Sequence, residues 1–246
     1  MNVLIVHAHY EPRSFTGAMK DTAADTLRAL GHQVEVSDLR EMNFDPVAKK
    51  SDFLAPKSDD YTVYSLEQRH GWANHTIAPD IAAEVDKLLR ADLLILNFPV
   101  FWFSVPAIMK GWIDRVFLSG VCFGGREFYD CGRLRGKRAL VCATIGGREH
   151  MFGPDGIHGP IEHMLQHLLR GTLGYVGMDV LPPYIAWHVP YIDDAARRQI
   201  LGDYRGQLQQ LDSVQPLAMP SLSDYDSVMR PLRPDASTPS RETNLP

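Results

Sequence analysis

Three short segments of this chain concentrate the residue types that bind ligands, and each of them follows an apolar run. Segment 7–16 carries histidines and hydroxyl groups, segment 98–106 carries aromatic rings and prolines, and segment 145–158 carries paired glycines and histidines. Because the carboxyl ends of parallel strands lie at one edge of a sheet, we expect the three segments to form one site.

The first segment ends where a helix is predicted to begin, with Ser14 or Thr16 as its N-cap. Unpaired backbone N–H groups and the positive end of the helix dipole attract anions at such a point. The Ser14 and Thr16 hydroxyls could also donate to a phosphate, and His9 and Arg13 add further donors or positive charge. A helix cap without any ligand is the alternative interpretation of Ser14. The chain has neither the Rossmann glycine fingerprint nor the P-loop motif, which favours a flavin over a tightly bound nicotinamide nucleotide.

The second segment offers ring surface. Residues 93–96 are apolar, Asn97 ends this run, and aromatic rings and prolines follow it. Exposed ring area is unfavourable in water unless a flat ligand or another chain covers it. A flavin isoalloxazine ring would provide such a cover, and the residues predicted to contact it are Pro99, Val100, Phe101, Trp102 and Phe103. The alternative is an aromatic cluster of the core or of a dimer interface.

The third segment places Gly146 and Gly147 ahead of His158. Without a Cβ, the two glycines let the backbone approach the edge of a ligand closely. Their N–H groups could hold the N5–C4=O side of a reduced flavin. His158 could stabilise negative charge on N1–C2=O or pass a proton to the substrate. These three residues are the predicted catalytic groups, although a lone histidine can also be purely structural.

His163 and His167 lie four residues apart on a predicted helix, a spacing that suits two zinc ligands. The glutamate of the HExxH motif is missing and no third ligand is evident, so no metal site is predicted. We expect both histidines on the surface of the helix or at a dimer seam.

The elements that would position these segments alternate along the chain. Short apolar runs predict strands at 3–6, 34–36, 93–97, 138–144 and 179–181, the last resuming at 184–187. Helices are predicted at 15–30, 79–90, 107–118, 161–173 and 194–211. Strands that are apolar throughout and alternate with helices indicate a parallel sheet covered on both faces. The stretch 40–76 is predicted to be irregular.

Composition and charge narrow the class of protein. The 246 residues are 45% hydrophobic and carry a net charge of -5, which argues against a nucleic-acid partner. No apolar run reaches the ~20 residues that span a bilayer, so no membrane insertion is expected. Three cysteines without a CxxC pair fit a reducing cytoplasm. We expect one domain at 1–213 and a tail rich in proline and serine at 214–246.

Four segments resemble the NAD(P)H:quinone oxidoreductases, the DT-diaphorase-like branch of the flavodoxin-like superfamily. They are VHAHYEPRSF (6–15), MNFDP (42–46), FPVFWFSVPAIMKGWIDRVF (98–117) and GGREHMFGPDGIHG (146–159). The similarity extends from residue 3 to about residue 211. It implies an α/β fold, a flavodoxin-like doubly wound five-stranded parallel sheet with helices on both faces. It also implies an obligate homodimer that binds FAD, in preference to FMN, at its interface.

The resemblance implies roles for individual residues. Positions matching contacts to the FAD pyrophosphate region are His9, Ser14, Phe15 and Thr16, and those matching an adenosine-side contact are Arg197 and Leu201. The loop on the isoalloxazine and ribityl groups is matched by Pro99, Val100, Phe101, Trp102 and Phe103. The loop that holds the polar edge of the ring is matched by Thr144, Ile145, Gly146 and Gly147. His158 matches the family's catalytic histidine.

Two departures from the family pattern bear on the site. The family pairs its catalytic histidine with a tyrosine, and Phe152 stands at that position beside the flavin. The missing hydrogen bond is worth ~0.5–1.5 kcal/mol, up to about a tenfold rate effect, unless Arg148 or His150 substitutes. Phe123 and Gly125 replace two tyrosines at the pocket mouth, which makes the pocket more apolar and more open. The predicted substrate pocket comprises Trp102, Phe103, Phe123, Gly125, Phe152, His158 and Tyr175.

The resemblance implies a flavoenzyme with ping-pong kinetics. NAD(P)H would give a hydride to the flavin and leave, after which a quinone, azo or nitro compound would accept two electrons at the same place. The alternative is a flavin-bearing regulatory subunit of a potassium-efflux-type transporter, which shares this fold. A one-electron flavodoxin-type carrier is a third hypothesis. The identity of the acceptor, the choice between NADH and NADPH, and the role of the tail stay open.

Overall fold

One parallel sheet runs through the protein, which the computed structural model describes at residues 1–58 and 60–232. Its strands are β1 (Asn2–His7), β2 (Gln33–Asp38), β3 (Leu93–Pro99), β4 (Arg138–Thr144), β5 (Asp179–Val180) and β6 (Tyr184–Ala186). The order across the sheet is β2-β1-β3-β4-β5, with β6 also paired to β4. This is the doubly wound order that the resemblance implied.

The fifth strand position is divided between two short strands. β5 pairs with the beginning of β4 and β6 with its end. Pro182 and Pro183 lie between them and lack the N–H that a strand ladder needs. The sheet therefore has six strands in five positions, and the strand predicted to resume at 184–187 does so.

Helices cover both faces of the sheet. They are α1 (Phe15–Ala29), α2 (Tyr64–Ala73), α3 (Pro79–Arg90), α4 (Ala107–Val116), α5 (Ile161–Met164), α6 (Gln166–Leu168) and α7 (Asp194–Gln209). Neighbouring strand residues point to opposite faces, so Val3 and Ile5 pack with α1 and α7, whereas Leu4 and Val6 pack with α3 and α4. None of the helices described is both long and apolar enough to cross a bilayer.

In two stretches the secondary structure differs from the prediction. The helix predicted at 161–173 is broken into α5 and α6 and continues as a π-helical turn at Leu169–Gly174. The stretch 40–76, predicted to be irregular, contains α2. This helix has no capping side chain, and its Gln68 bonds instead to the Asp114 carbonyl and the Ser119 N–H. Contacts across the fold, which no local pattern reveals, stabilise α2.

A buried ion pair joins the segment before α2 to α4. Arg115 Nη2 lies 2.8 Å from Asp52 Oδ1, and Arg115 Nη1 donates to the Asp45 carbonyl at 2.7 Å. The Tyr64 hydroxyl donates to Asp52 at 2.7 Å. Burial alone would raise the pKa of the Asp52 carboxyl, but hydrogen bonds from Arg115, Tyr64 and the Lys49 N–H hold it below its usual value.

The described part of the predicted tail packs against the domain. The Leu217 N–H donates to the Val180 carbonyl at 2.7 Å, and the Ser221 hydroxyl donates to the Asp130 carboxylate. Residues 233–246, the rest of the predicted tail, lie outside the described residues.

Candidate active site

The ends of β1, β3 and β4 are joined by a buried network of polar side chains. Asn97 Nδ2 donates to Nδ1 of His7 at 2.8 Å and to the Thr16 carbonyl at 2.9 Å. The Thr16 and Thr144 hydroxyls lie 2.9 Å apart. Burial lowers the pKa of His7 to about 4, so its ring is neutral at neutral pH and carries its proton on Nε2. The network holds the starting points of the three predicted loops side by side.

The start of α1 offers its backbone N–H groups to an anion. Ser14 caps the helix by accepting the Gly17 N–H at 3.0 Å, and the Phe15 and Thr16 N–H groups have no acceptor within the helix. The Thr16 hydroxyl, predicted as a donor to phosphate, is buried and bonds to Thr144. Any anion bound here would therefore meet backbone groups and the Ser14 hydroxyl hydrogen.

The other residues predicted near this helix start have local partners. Nδ1 of His9 accepts the Glu11 N–H at 3.0 Å, and its ring stacks on Tyr10 with 4.9 Å between centroids. Burial lowers the pKa of His9, which favours a neutral ring. Arg13 forms an exposed ion pair with Glu11. Both side chains are thus engaged by neighbouring residues of the same segment.

The segment after β3 forms a tight turn, termed the aromatic turn (101–104). The backbones of Phe101 and Ser104 exchange two hydrogen bonds of 3.0 Å. Trp102 and Phe103 have left-handed φ angles of 49° and 58°, which residues with a Cβ rarely adopt. Trp102 is 96% exposed, so the turn presents bare ring surface. Just before the turn, the Val100 N–H donates to the carbonyl of the last β4 residue at 2.9 Å.

Gly146 and Gly147 lie directly after β4, and His188 holds both of them. The Gly146 carbonyl accepts from His188 Nδ1 at 2.8 Å, and the Gly147 carbonyl accepts the His188 N–H at 2.9 Å. A carbonyl only accepts, so Nδ1 of His188 carries the proton. Within the described residues, neither glycine N–H has an acceptor. The glycine carbonyls are thus fixed while their N–H groups stay available to a ligand.

His158 lies in a group of rings, termed the His158 cluster (Phe103, Phe152, His158 and Trp187). The centroid of the His158 ring is 5.2 Å from that of Phe103 and 4.8 Å from that of Phe152. Trp187 contacts Phe152 at 5.2 Å. The structure thus brings three predicted pocket residues together. Sequence reasoning missed Trp187 and His188, although both follow β6 at the carboxyl edge of the sheet, which is the signal that could have found them.

Trp102 lies beside Phe103 in the aromatic turn, but the other three predicted pocket residues, Phe123, Gly125 and Tyr175, lie elsewhere in the fold. Phe123 and Tyr175 contact each other at 5.7 Å between ring centroids, and Phe128 stacks on Tyr175 at 5.4 Å. These rings and Tyr129 are termed the Tyr175 cluster. No ring contact among the described residues joins it to the His158 cluster. Gly125, with a φ of 58°, has open space where a Cβ would be.

The predicted adenosine-side residues lie on α7. Arg197 Nη2 donates to the Val189 carbonyl at 3.3 Å, and Nη1 pairs with Asp194 at 2.8 Å. The Val189 N–H donates in turn to the Ile145 carbonyl at 3.2 Å, which connects Arg197 to the loop after β4. Leu201, one turn further along, lines a groove of about 410 Å³ between α1 and α7.

Comparison with known proteins places this chain in a family. Residues 1–208 match the family model described as the flavodoxin-like fold. The chain is 40% identical over 216 residues to ribosyldihydronicotinamide dehydrogenase (quinone) of Mus musculus, covering 87% of this chain and 94% of that protein. The chain belongs to the flavodoxin-like quinone reductases. The family and the fold class predicted from the sequence are therefore confirmed.

Other flavodoxin-like quinone reductases show the same relation. NAD(P)H dehydrogenase (quinone) 1 of Cavia porcellus is 37% identical over 224 residues, covering 91% of this chain and 82% of that protein. A solved structure from Klebsiella pneumoniae, provisionally assigned as a quinone reductase, is 36% identical with a TM-score of 0.86. It covers 92% of this chain and 91% of that chain. The prediction of an enzyme is confirmed, and the transporter-subunit alternative finds no support among these relatives.

Gly147→Ala is expected to destabilise the protein, and Gly146→Ala is its matched control. A Cβ on Gly147 would lie 2.6 Å from Cε2 of the buried Phe152 ring, which must then move, whereas a Cβ on Gly146 meets only Tyr191, at 3.8 Å. We expect Gly147→Ala to lower the free energy of unfolding by about 1–3 kcal/mol. Gly146→Ala should change it by less than about 0.5 kcal/mol. Equal losses for the two variants in urea unfolding would contradict this.

Proposed function

We propose that this chain is an NAD(P)H-dependent quinone oxidoreductase that works through a bound flavin. The observation that carries the proposal is the His158 cluster together with two glycines whose N–H groups have no acceptor among the described residues. The relatives that share most of the chain's length are named as quinone dehydrogenases, which supports the same reaction.

The residues present fit a flavin. N–H donors are available at the start of α1 for a phosphate, and at Gly146 and Gly147 for the polar edge of the ring. The aromatic turn provides surface for stacking. We propose FAD in preference to FMN because Arg197 and Leu201 would contact the adenosine. A bound flavin would supply two-electron hydride chemistry between NAD(P)H and the acceptor.

His158 would handle the proton and the charge that accompany hydride transfer. Its ring is held against Phe103 and Phe152, and a histidine can carry a proton near neutral pH. It can therefore place positive charge beside a reduced ligand or donate a proton to a quinone oxygen. Within one chain this place is open to solvent, since His158 and Phe103 are both exposed, so a flat ligand can reach it. Nicotinamide and acceptor would occupy it in turn, which predicts ping-pong kinetics.

A second copy of the chain would complete the acceptor pocket. The resemblance implies one pocket, yet Phe123, Gly125 and Tyr175 lie apart from the His158 cluster within the chain. We therefore propose a homodimer in which the Tyr175 cluster of one subunit faces the His158 cluster of the other. Sedimentation velocity should show a dimer at assay concentrations, and an active monomer would contradict this arrangement.

Identification of the chromophore followed by a steady-state assay tests the function. Flavin released from the purified protein would be identified by mass. The flavin-loaded protein would then be assayed with NADH and NADPH against a panel of quinones. We expect oxidation of at least one nicotinamide by benzoquinone, with parallel lines in double-reciprocal plots. No turnover with either nicotinamide would reject the proposal.

Phe152→Tyr restores the tyrosine of the family pattern and is expected to speed the reaction. The Phe152 ring already contacts His158, so a hydroxyl on it could add one hydrogen bond to the reduced ligand. We expect the rate of flavin reduction, measured by stopped flow, to rise up to about tenfold. A rate below that of the natural chain would show that the hydroxyl finds no partner in this pocket.

A further inference from the structure

The histidine pair at positions 163 and 167 has no part in the proposed reaction, but one of the two contacts the site. Among the described residues, no group of three or more His, Cys, Asp or Glu side chains could hold a metal ion. Nε2 of His167 lies 2.9 Å from the Ser104 hydroxyl. His163 is exposed and makes no side-chain hydrogen bond within the described part of the chain. The two histidines thus differ in what they touch.

Ser104 belongs to the aromatic turn, whose backbone conformation is unfavourable by itself. Two left-handed residues in succession are normally glycine or asparagine, but here they are Trp102 and Phe103. Such a conformation persists only where surrounding contacts hold it. Two contacts from outside the turn do so: the hydrogen bond between Ser104 and His167, and the Phe103 ring against His158 at 5.2 Å.

His167 is itself well anchored. It lies in α6, and its carbonyl accepts the Thr172 hydroxyl at 3.0 Å. The next two residues, Leu168 and Leu169, are buried in the core. A π-helical turn follows at once, a feature that occurs frequently at functional sites. The backbone of His167 is therefore fixed to the core while its ring reaches the aromatic turn.

We propose that His167 is a positioning residue of the acceptor site, which acts through Ser104 to hold Trp102 and Phe103 in their ligand-binding conformation. The inference rests on the proposed function, since the aromatic turn is where the flat ligands are proposed to bind. His167 takes no part in hydride or proton transfer. Loss of its hydrogen bond should therefore weaken binding more than it slows the chemical step.

Three variants of the flavin-loaded full chain test this role. His167→Leu removes the hydrogen bond, His167→Gln offers an amide in place of Nε2, and His163→Leu makes the same change one turn away. We expect His167→Leu to raise the KM for benzoquinone about three- to tenfold, the effect of one hydrogen bond, with kcat changed less than about twofold. The other two variants should stay within about twofold of the natural chain in both constants.

Hydrogen exchange provides a second readout that needs no enzymatic activity. The N–H groups of Phe101 and Ser104 close the turn. They should exchange about three- to tenfold faster in His167→Leu than in the natural chain or in His163→Leu. Ser104→Ala should produce the same acceleration, and its combination with His167→Leu should add nothing further, since both remove one contact.

The outcomes separate this inference from the proposed function. Unchanged exchange or an unchanged benzoquinone KM in His167→Leu would overturn the positioning role. A natural chain that binds flavin but does not reduce quinones would reject the proposed function. The dissociation constant for flavin would then decide the role of His167. A rise of about three- to tenfold in His167→Leu would support it, and no change would overturn it.

Discussion

Arg115→Met is expected to lower the free energy of unfolding by about 3–5 kcal/mol. The substitution removes the guanidinium that contacts Asp52 and the Asp45 carbonyl, and it leaves the Asp52 carboxylate buried without its cation. Urea unfolding followed by circular dichroism would measure the loss. Lys110→Met is the matched control on the same helix, because the Lys110–Asp114 ion pair is exposed and is worth only ~0–1 kcal/mol.

The effect of Arg115→Met should depend on pH in a defined direction. The folded-state pKa of Asp52 lies below its unfolded value of ~3.9, so the ion pair stabilises the protein above that pH. Its contribution is lost as the pH falls through the lower folded value. Without Arg115, burial should raise the pKa of Asp52, so the difference in stability should shrink as the pH falls through the raised pKa of the variant and then the lowered pKa of the natural chain. A loss under about 1 kcal/mol at neutral pH would contradict a strong buried pair.

His158→Ala is expected to lower kcat about 100-fold while the flavin stays bound. The imidazole is the group of the His158 cluster that can carry a proton, whereas its neighbours Phe103, Phe152 and Trp187 supply only ring surface. Stopped-flow measurement of flavin reduction by NAD(P)H and of its reoxidation by benzoquinone would show which half-reaction depends on the histidine.

Flavin content and thermal stability provide the controls for His158→Ala. His163→Ala makes the same change at an exposed position outside the site and should retain the natural rates within about twofold. A loss of less than about threefold in His158→Ala would show that the His158 ring only packs between Phe103 and Phe152. In that case the proton would have to come from another group or from water.

Local information was enough to predict most of the fold. The apolar runs that become β1, β3 and β4 are continuous in the sequence, and Ser14 marks the start of α1 as its cap. The prediction failed where distant contacts decide the structure. α2 depends on Gln68 bonding to the chain near α4, and the π-helical turn at Leu169–Gly174 interrupts a pattern that looks like one regular helix.

Several residues of the candidate site could be predicted because the carboxyl ends of parallel strands lie at one edge of the sheet. His9, Phe103, Gly146 and His158 all lie on loops at the carboxyl edge of the sheet. His188 was missed although the strand before it was predicted, because its bonds to the Gly146 and Gly147 carbonyls are contacts across the fold that no local pattern reveals. The separation of Phe123 and Tyr175 from His158 was equally hidden, because a resemblance names the members of a pocket without saying how far apart they lie within one chain.

The divided fifth strand also affects the tendency of this protein to aggregate at high concentration. An exposed, regular sheet edge is a template on which other chains can add as strands and grow into aggregates. At this edge β5 and β6 have two and three residues, Pro182 and Pro183 separate them, and the Leu217 N–H covers the Val180 carbonyl. Pro182 and Pro183 therefore disfavour the addition of a strand from a second copy of the protein at this edge of the sheet.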